Sequence, residues 1–347
     1  MRAWNFSAGP AAIPVEVLER AQQELLEFGS QQASIMEISH RSKDYEAVAF
    51  GARDNLRSLL NISEDFEILF LQGGATLQFA LLPLNFAQNK TTEHIITGAW
   101  SKKAHAEASK LGSAHILATS ADTNFTTIPE LNNLSPSDGA AYLHYADNET
   151  IHGVEFKRVP DINLPKFVDM SSIILGKQID VNQYDLIYAG AQKNIGPAGL
   201  TVVIARKKLL ETCNESIPSI LNLQKHAEND SMLNTPPTFA WYLAGLVFEW
   251  YKVPAGKTAN SASIGAIDWA NCPLTVETIC ITCEYFSICI NCVTSTEPAL
   301  QTRPKSFLPK STSIRCSARS FGSLSNSLAI VSSSSGVPPL GLVPAIG

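Results

Sequence analysis

The chain has 347 residues, 45% hydrophobic and 17% charged, enough for a substantial core and, at about 150 residues per domain, for two domains. Its formal net charge of −6 argues against nucleic acid or an anionic membrane surface as a partner. The opening "MRAWNFSAGPAAIPVEVLERA" has no signal-peptide core, and no apolar run approaches the ~20 residues of a spanning helix, so a soluble, cytoplasmic protein is expected.

In chain order, "PVEVLERAQQELLEF" predicts an amphipathic helix, with Val17, Leu18, Ala21, Leu25 and Phe28 at helical spacing. A strand-like "ASIMEIS" follows, then the loop "SHRSK" and a second helix, "YEAVAFGARDNLRSLLNI". "FEILFLQGG" reads as a strand ending in glycines, and "LQFALLPLNF" as helix. "TEHIITGAW" is a strand and "SKKAHAEASKLG" a helix. Later strands are "AAYLHYAD", "KFVDMSS", "DLIYAGA" and "GLTVVIA", and "PTFAWYLAGLVFEWYK" is a long apolar helix. This alternation predicts an α/β domain built on a largely parallel sheet.

From Val253 the pattern stops, so residues 1–252 are expected to form the ordinary domain and residues 253–347 an atypical tail. Six of the seven cysteines and only ten of the 58 charged residues fall in that tail, which also carries "SLSNSLAIVSSSSG". It has the character of a different coding origin, such as a frameshifted reading or a fusion, or of a poorly packing segment. Within it, Cys280, Cys283, Cys289 and Cys292 form two C-x-x-C pairs. Such pairs can hold a structural zinc, but their separation is shorter than in zinc ribbons, and incidental reduced thiols are the simpler reading. No metal is expected.

Five features carry chemistry. In "DLIYAGAQKNIGPAGL", Lys193 leaves a buried-looking strand and precedes a Gly-Pro turn. It is either a solvated loop lysine or an amine nucleophile in a dry pocket, suited to Schiff-base chemistry. In "FLQGGATLQF", Gly73 and Gly74 let the backbone approach an anion, while Ala75 and Thr76 would aim amides and a hydroxyl at it. Asp169 ends the apolar strand of "KFVDMSS". It is either a helix cap or the partner of a buried cation such as a pyridinium nitrogen. Trp100 in "TGAWS" could stack on a planar ring or simply pack in the core. His40 and Arg41 in "SHRSK" could grip a carboxylate or phosphate, or face solvent. All lie near strand ends, where ligands bind in open α/β sheets.

The segments "NFSAGPAAIP", "MEISHRSK", "GGATLQF", "NETIHG", "YAGAQKNIGPAGL" and "NTPPTFAWYLAGLVFEW" resemble the phosphoserine aminotransferase family, from about Asn5 to Trp250. The resemblance implies a fold type I, pyridoxal 5′-phosphate-dependent enzyme, homodimeric, with active sites at the subunit boundary. It implies that Lys193 carries the cofactor, with Gln192 near the cofactor phosphate. Asp169 would pair with the pyridine nitrogen and Trp100 would stack on the ring. Ala75 and Thr76 fall at the phosphate cradle, and Thr150 at a cofactor contact. Asn234 and Thr235 would reach the phosphate from the partner subunit, and Arg41 with His40 would bind the substrate's distal anion.

The implied reaction moves an amino group between L-glutamate and 3-phosphohydroxypyruvate, by ping-pong kinetics, in serine biosynthesis and also on 4-phosphohydroxythreonine in pyridoxine biosynthesis. The family's smaller C-terminal domain, with an arginine for the substrate α-carboxylate, has no match after the "WY" helix. Arg315 and Arg319 stand in unmatched surroundings and receive no role. The alternative function is therefore a catalytically impaired, cofactor-binding remnant. A cysteine desulfurase of the same fold is disfavoured, because Cys213 sits on the helix-like "KKLLETCNES" rather than a mobile loop.

Overall fold

A computed structural model describes residues 5–253, 279–283 and 286–290. The chain divides into two compact units, Met1–Asn271 and Cys272–Gly347.

In the first unit, α1 (Val15–Gln23) follows Pro14 and buries Val17 and Ala21. The expected helix runs on to Phe28, but the observed one stops at Gln23. Glu24 turns to accept from the Tyr242 hydroxyl, and the Phe28 ring meets Tyr242 edge-on at 5.7 Å. The strand expected at "ASIMEIS" is also absent. Ser34 donates its amide to the Glu37 carboxylate at 2.9 Å, and the Glu37 amide returns to the Ser34 carbonyl. These local bonds close a turn where a strand would have needed a neighbour.

Helix α2 (Lys43–Leu59) is capped by Ser42, whose Oγ accepts from the Tyr45 amide. Asp44 and Glu46 lie in its first turn and Arg57 in its last, as the helix dipole favours. Its buried stripe is Tyr45, Ala49, Ala52 and Leu56. Strand β1 (Phe66–Gln72) leads into α3 (Gly74–Phe86), then β2 (Thr92–Ile96), α4 (Ala99–Leu111) and β3 (Ala114–Thr119). Strand β4 (Leu143–Ala146) is followed by a small hairpin of β5 (Asn148–Glu149) and β6 (Val154–Glu155). Next come β7 (Lys166–Asp169), β8 (Leu186–Gly190), β9 (Leu200–Arg206) and the helices α5 (Lys207–Leu210), α6 (Leu223–Glu228) and α7 (Thr238–Lys252).

Seven strands form one sheet in the order β1-β9-β8-β7-β4-β2-β3. The run β8-β7-β4-β2-β3 is parallel, while β9 is antiparallel to both β8 and β1. The chain passes from β8 to β9 through a short link, too short for the crossover that parallel pairing requires. Edge strand β3, which mixes exposed and half-buried residues, is not among the expected strands. Alternation along the strands sorts the core into two layers. Val168 and Ile187 face α1, α2 and α7, whereas Phe167, Leu186 and Tyr188 face α3 and α4. The fold type I architecture, a mostly parallel sheet with flanking helices, is thus as expected. The carboxyl ends of β1, β2, β4, β7 and β8 share one edge of the sheet, and the site is built there.

In the second unit, β10 (Ile279–Cys283) and β11 (Phe286–Ile290) pair antiparallel, with Cys280 opposite Cys289 along the backbone. The cysteine side chains of the expected C-x-x-C pairs, and Arg315 and Arg319, lie outside the residues whose surroundings are described.

Helices α2 and α7 approach closely because each is small at the contact: a Cβ on Gly245 would stand 3.1 Å from the Ala52 Cβ. Gly245→Val should destabilise the first unit by about 1–3 kcal/mol through overpacking. Denaturant melts of the variant and the parent measure it.

Candidate active site

Lys193 lies on the link from β8 to β9, which is tied at both ends. The Ala191 amide donates to Leu200 at 2.9 Å, and the amides of Ile195 and Gly196 both return to the Ala191 carbonyl. Gly199, at φ +93°, completes the turn in a region that side chains disfavour. So short a link holds the lysine against the sheet. Its Nζ donates to the Thr150 hydroxyl and stands 5.9 Å from the centre of the Trp100 ring. The N-terminal segment covers the stem: a Cβ on Gly9 would sit 3.2 Å from Lys193 Cγ, and the Ala11 amide donates to the Gln192 carbonyl at 2.8 Å. Burial lowers the Lys193 pKa below the ordinary lysine range, and the nearby charges of Asp169 and Glu149 offset part of that shift.

Asp169 ends β7 and is 7% exposed. One carboxylate oxygen, Oδ1, accepts both from the Ser171 amide at 2.8 Å and from its hydroxyl at 2.6 Å. Ser171 Oγ in turn accepts from the Gly190 amide at 3.0 Å, stitching the ends of β7 and β8 together. Burial pushes the Asp169 pKa up, while the Ser171 donors and the Lys193 charge pull it down. A turn rather than the expected helix follows β7, and Asp169 accepts from its Ser171 while lying within the electrostatic reach of Lys193.

A residue the sequence reading passed over holds this arrangement together. Glu149 is fully buried, and its carboxylate accepts from the Trp100 amide at 3.0 Å, the Ser101 amide at 2.8 Å and the Ser101 hydroxyl at 2.6 Å. It therefore caps α4, whose own N-cap, Gly98, has no side chain to do so. An anion there also suits the helix dipole. Gly98 is required by close approach: a Cβ would lie 2.6 Å from Glu149 Cδ and 2.7 Å from His152 Nδ1. The next residue is Thr150, so one carboxylate fixes the base of Trp100 and the backbone that carries the partner of Lys193. An acid directly before Thr150, across from an uncapped helix start, was the available signal.

The remaining predicted residues are spread more widely. Helix α3 opens at Gly73 and Gly74, both with positive φ, and has neither a side-chain cap nor an acid in its first turn. Its Ala75 is half-buried and Thr76 exposed, and no side chain caps the first turn. Asn234 and Thr235 are exposed beside this helix, where Gln72 donates to the Thr235 carbonyl at 3.4 Å. Gln192 is half-buried next to Lys193. Among the described residues, no hydrogen bond or ion pair joins Arg41 or His40 to the Lys193 cluster. Arg41 is exposed, and His40 Nε2 is buried without a partner.

Residues 3–265 match the Aminotransferase class-V family. The chain belongs to that family. A phosphoserine aminotransferase of Acinetobacter baylyi is 53% identical over 262 residues, 75% of this chain and 73% of that protein. A solved phosphoserine aminotransferase from Bacillus circulans subsp. alkalophilus is similar at 46% identity with a TM-score of 0.70, over 72% of this chain and 70% of that one. A phosphoserine aminotransferase from Trichomonas vaginalis, solved with pyridoxal phosphate bound, is 42% identical with a TM-score of 0.68, over 72% and 75%. As a class-V aminotransferase, the chain is a transaminase of small molecules. Among the described residues, no helix is long and apolar enough to cross a membrane and no cluster of side chains could hold a metal ion.

Two outcomes test this geometry. Glu149→Ala leaves three buried donors of α4 unpaired and should cost about 1–3 kcal/mol or more in thermal or denaturant melts, with Glu149→Gln milder. The depressed pKa of Lys193 means that its neutral amine builds up at lower pH than for an ordinary lysine. In the cofactor-free chain its acylation rate should therefore rise through a midpoint below 10.5. Peptide mapping of labelling against pH measures that midpoint.

Proposed function

We propose that the chain transfers an amino group between L-glutamate and 3-phosphohydroxypyruvate, giving O-phospho-L-serine and 2-oxoglutarate, with pyridoxal 5′-phosphate as cofactor. The same site would serve 4-phosphohydroxythreonine, and the setting is cytoplasmic biosynthesis. One observation carries the reading: Lys193, an amine with a lowered pKa, is held by Thr150 between Trp100 and Asp169 in a chain whose relatives are named phosphoserine aminotransferases.

The residues present fit the cofactor. Asp169 is a buried carboxylate with no ion pair among the described residues, and a protonated ring nitrogen is the cation it needs. The Trp100 ring flanks the lysine, and the uncapped first turn of α3, with Ala75 and Thr76, offers amides to a phosphate. Pyridoxal phosphate, when bound, supplies an electron-withdrawing ring that accommodates the electron pair left when the substrate Cα–H bond breaks.

The chain's own residues do the rest. Lys193 would hold the cofactor through its aldehyde group, and its lowered pKa raises the fraction of neutral amine available to do so. When not bound to the cofactor, the Lys193 amine would act as the base and acid that moves a proton at the substrate Cα. Thr150 fixes the position of Nζ, and Asp169 would keep the ring nitrogen protonated. Gln192 and the start of α3 hold the phosphate. The exposure of Asn234, Thr235 and Arg41 suits a homodimer with sites at the subunit boundary. There Asn234 and Thr235 reach the partner copy's cofactor phosphate, and Arg41 with His40 receives the distal anion of either substrate in turn.

A second reading is favoured by where the family match stops. Residues 266–347 lie beyond it, and they include six cysteines and the composition shift noted above. Without an arginine for the substrate α-carboxylate, one charge-assisted contact of about 1.5–3 kcal/mol is missing, and misorientation of Cα–H can cost about a hundredfold in rate. The chain would then bind cofactor and turn over weakly. Glutamate-dependent conversion of 3-phosphohydroxypyruvate by the full chain decides between them: turnover on the scale of relatives supports the first reading, and a cofactor absorbance band without turnover the second.

Lys193→Ala should lose about 10²–10⁴-fold or more in each half-reaction, and borohydride should no longer fix cofactor to the protein. A reducible adduct in that variant would assign the chemistry to another lysine. Asp169→Asn should retain cofactor but lose most turnover, because an amide cannot hold the ring nitrogen protonated. Near-normal kcat would remove Asp169 from that role.

A further inference from the structure

Beneath Asp169, on the face of the sheet covered by α3 and α4, lies a row of buried polar groups that the reaction as described does not use. Parallel pairing sets Asp169 between Ala146 on β4 and Tyr188 on β8. Ala146 presents only a methyl group, and both Ser171 donors are spent on Oδ1. The neighbouring hydroxyl is that of Tyr188, which is fully buried and 2.9 Å from Nε2 of His144 on β4. The two rings stack at 5.9 Å and 23°.

We infer that His144 and Tyr188 are positioning residues: His144 donates to Tyr188, and Tyr188 donates to Asp169, so the carboxylate is held ionised for the cofactor's ring nitrogen. This rests on the pyridoxal-phosphate reading of the site. The direction of the hydrogen bonds follows from what each atom faces. A tyrosine donating to His144 would turn its lone pairs toward a carboxylate, which is repulsive. With His144 as donor through Nε2, the other ring nitrogen, Nδ1, carries no proton, and Nδ1 is buried with no partner. An orphaned acceptor is tolerated better than an orphaned N–H.

The surroundings keep this relay neutral. Burial drives the His144 pKa down to about 3, and it pushes the Tyr188 hydroxyl well above its ordinary range, with the Asp169 charge adding to the effect. His94 on β2 sits 5.3 Å from the His144 ring, is also held neutral by burial, and engages Thr92 Oγ1 at 3.0 Å. His105 on α4 lies behind His94 at 5.2 Å. From α3, Phe79 meets Tyr188 edge-on and brings no charge. Lys193, Glu149 and Tyr142 are the remaining ionisable neighbours of the Asp169–Tyr188 pair. Among the described residues, no ion pair reaches Asp169 from the sheet side, so neutral donors do the work there.

The test compares Tyr188→Phe, His144→Leu and His144→Gln in the full, cofactor-loaded chain. It reads the cofactor dissociation constant and the protonation of the ring nitrogen by nitrogen NMR of ring-labelled cofactor against pH. Loss of a hydrogen bond to a charged group predicts that Tyr188→Phe weakens cofactor binding about tenfold to a hundredfold and moves ring deprotonation to lower pH. His144→Leu should act in the same direction, and the double variant should be no worse than Tyr188→Phe alone, because both break one relay. His144→Gln keeps an N–H near Nε2 and should restore the parent profile. Unchanged ring-nitrogen protonation and affinity in Tyr188→Phe and His144→Leu would overturn the inference and leave the pair as core packing. If Tyr188→Phe fails to fold, the His144→Leu and His144→Gln comparison decides by the same readouts. A loaded parent chain with unaltered variants overturns the inference alone, whereas a parent that takes up no cofactor overturns the site reading with it.

Discussion

The site depends on the parallel register of β4, β7 and β8. Because Ala146, Asp169 and Tyr188 are paired across three neighbouring strands, the chain leaves the sheet at nearly one level each time. Lys193 then meets Thr150, and Ser171 joins Asp169 to Gly190, from segments far apart in sequence. Backbone hydrogen bonds of the sheet thereby fix the spacing of groups that never touch as neighbours in the chain. The short antiparallel return through β9 adds a second constraint, since it leaves Lys193 no length of loop over which to move.

Around that register the charges are handled in different ways. Glu149 is buried against a helix start and satisfied by three donors. Asp169 is buried with donors on one oxygen and no ion pair among the described residues. Lys193 is half-buried, its amine shared with a hydroxyl rather than a carboxylate. Full ion pairing would have neutralised both the lysine and the aspartate and left neither available to a ligand. A buried carboxylate without an ion pair among the described residues and an amine with a lowered pKa are the two groups on which the proposed cofactor site rests. Glu149 serves them by fixing the frame.

The composition of the chain changes toward its C-terminus. The family match reaches residue 265, whereas the change in composition begins at Val253, directly after α7. Its Trp241 stacks on Phe70 of β1 at 4.5 Å and Gly245 meets Ala52, contacts internal to the first unit.

Much of this was legible in the sequence. Apolar runs such as "DLIYAGA" and "KFVDMSS" announced buried strands because a strand covered on both faces has no polar alternation to hide it. The alternation with amphipathic helices then determined the α/β class, and Lys193, Asp169 and Trp100 stood out as polar or aromatic groups at strand ends. Local chemistry could not be read in the same way. "ASIMEIS" has strand composition yet closes as a turn, because Ser34 and Glu37 bond to each other, and "VLERAQQELLEF" loses its helix where Tyr242 captures Glu24. Those partners lie near or far in sequence, but composition and period do not encode them. Glu149 was read past for a related reason: its role needs α4 to begin at the same point in space. The pairing of Tyr188 with His144 likewise requires β8 and β4 to be arranged around β7. The sequence by itself determined which residues could be buried and which chemistry they carried. Only the tertiary structure decided which of them met, because a hydrogen bond depends on the last ångström of register between strands the chain connects through tens of residues.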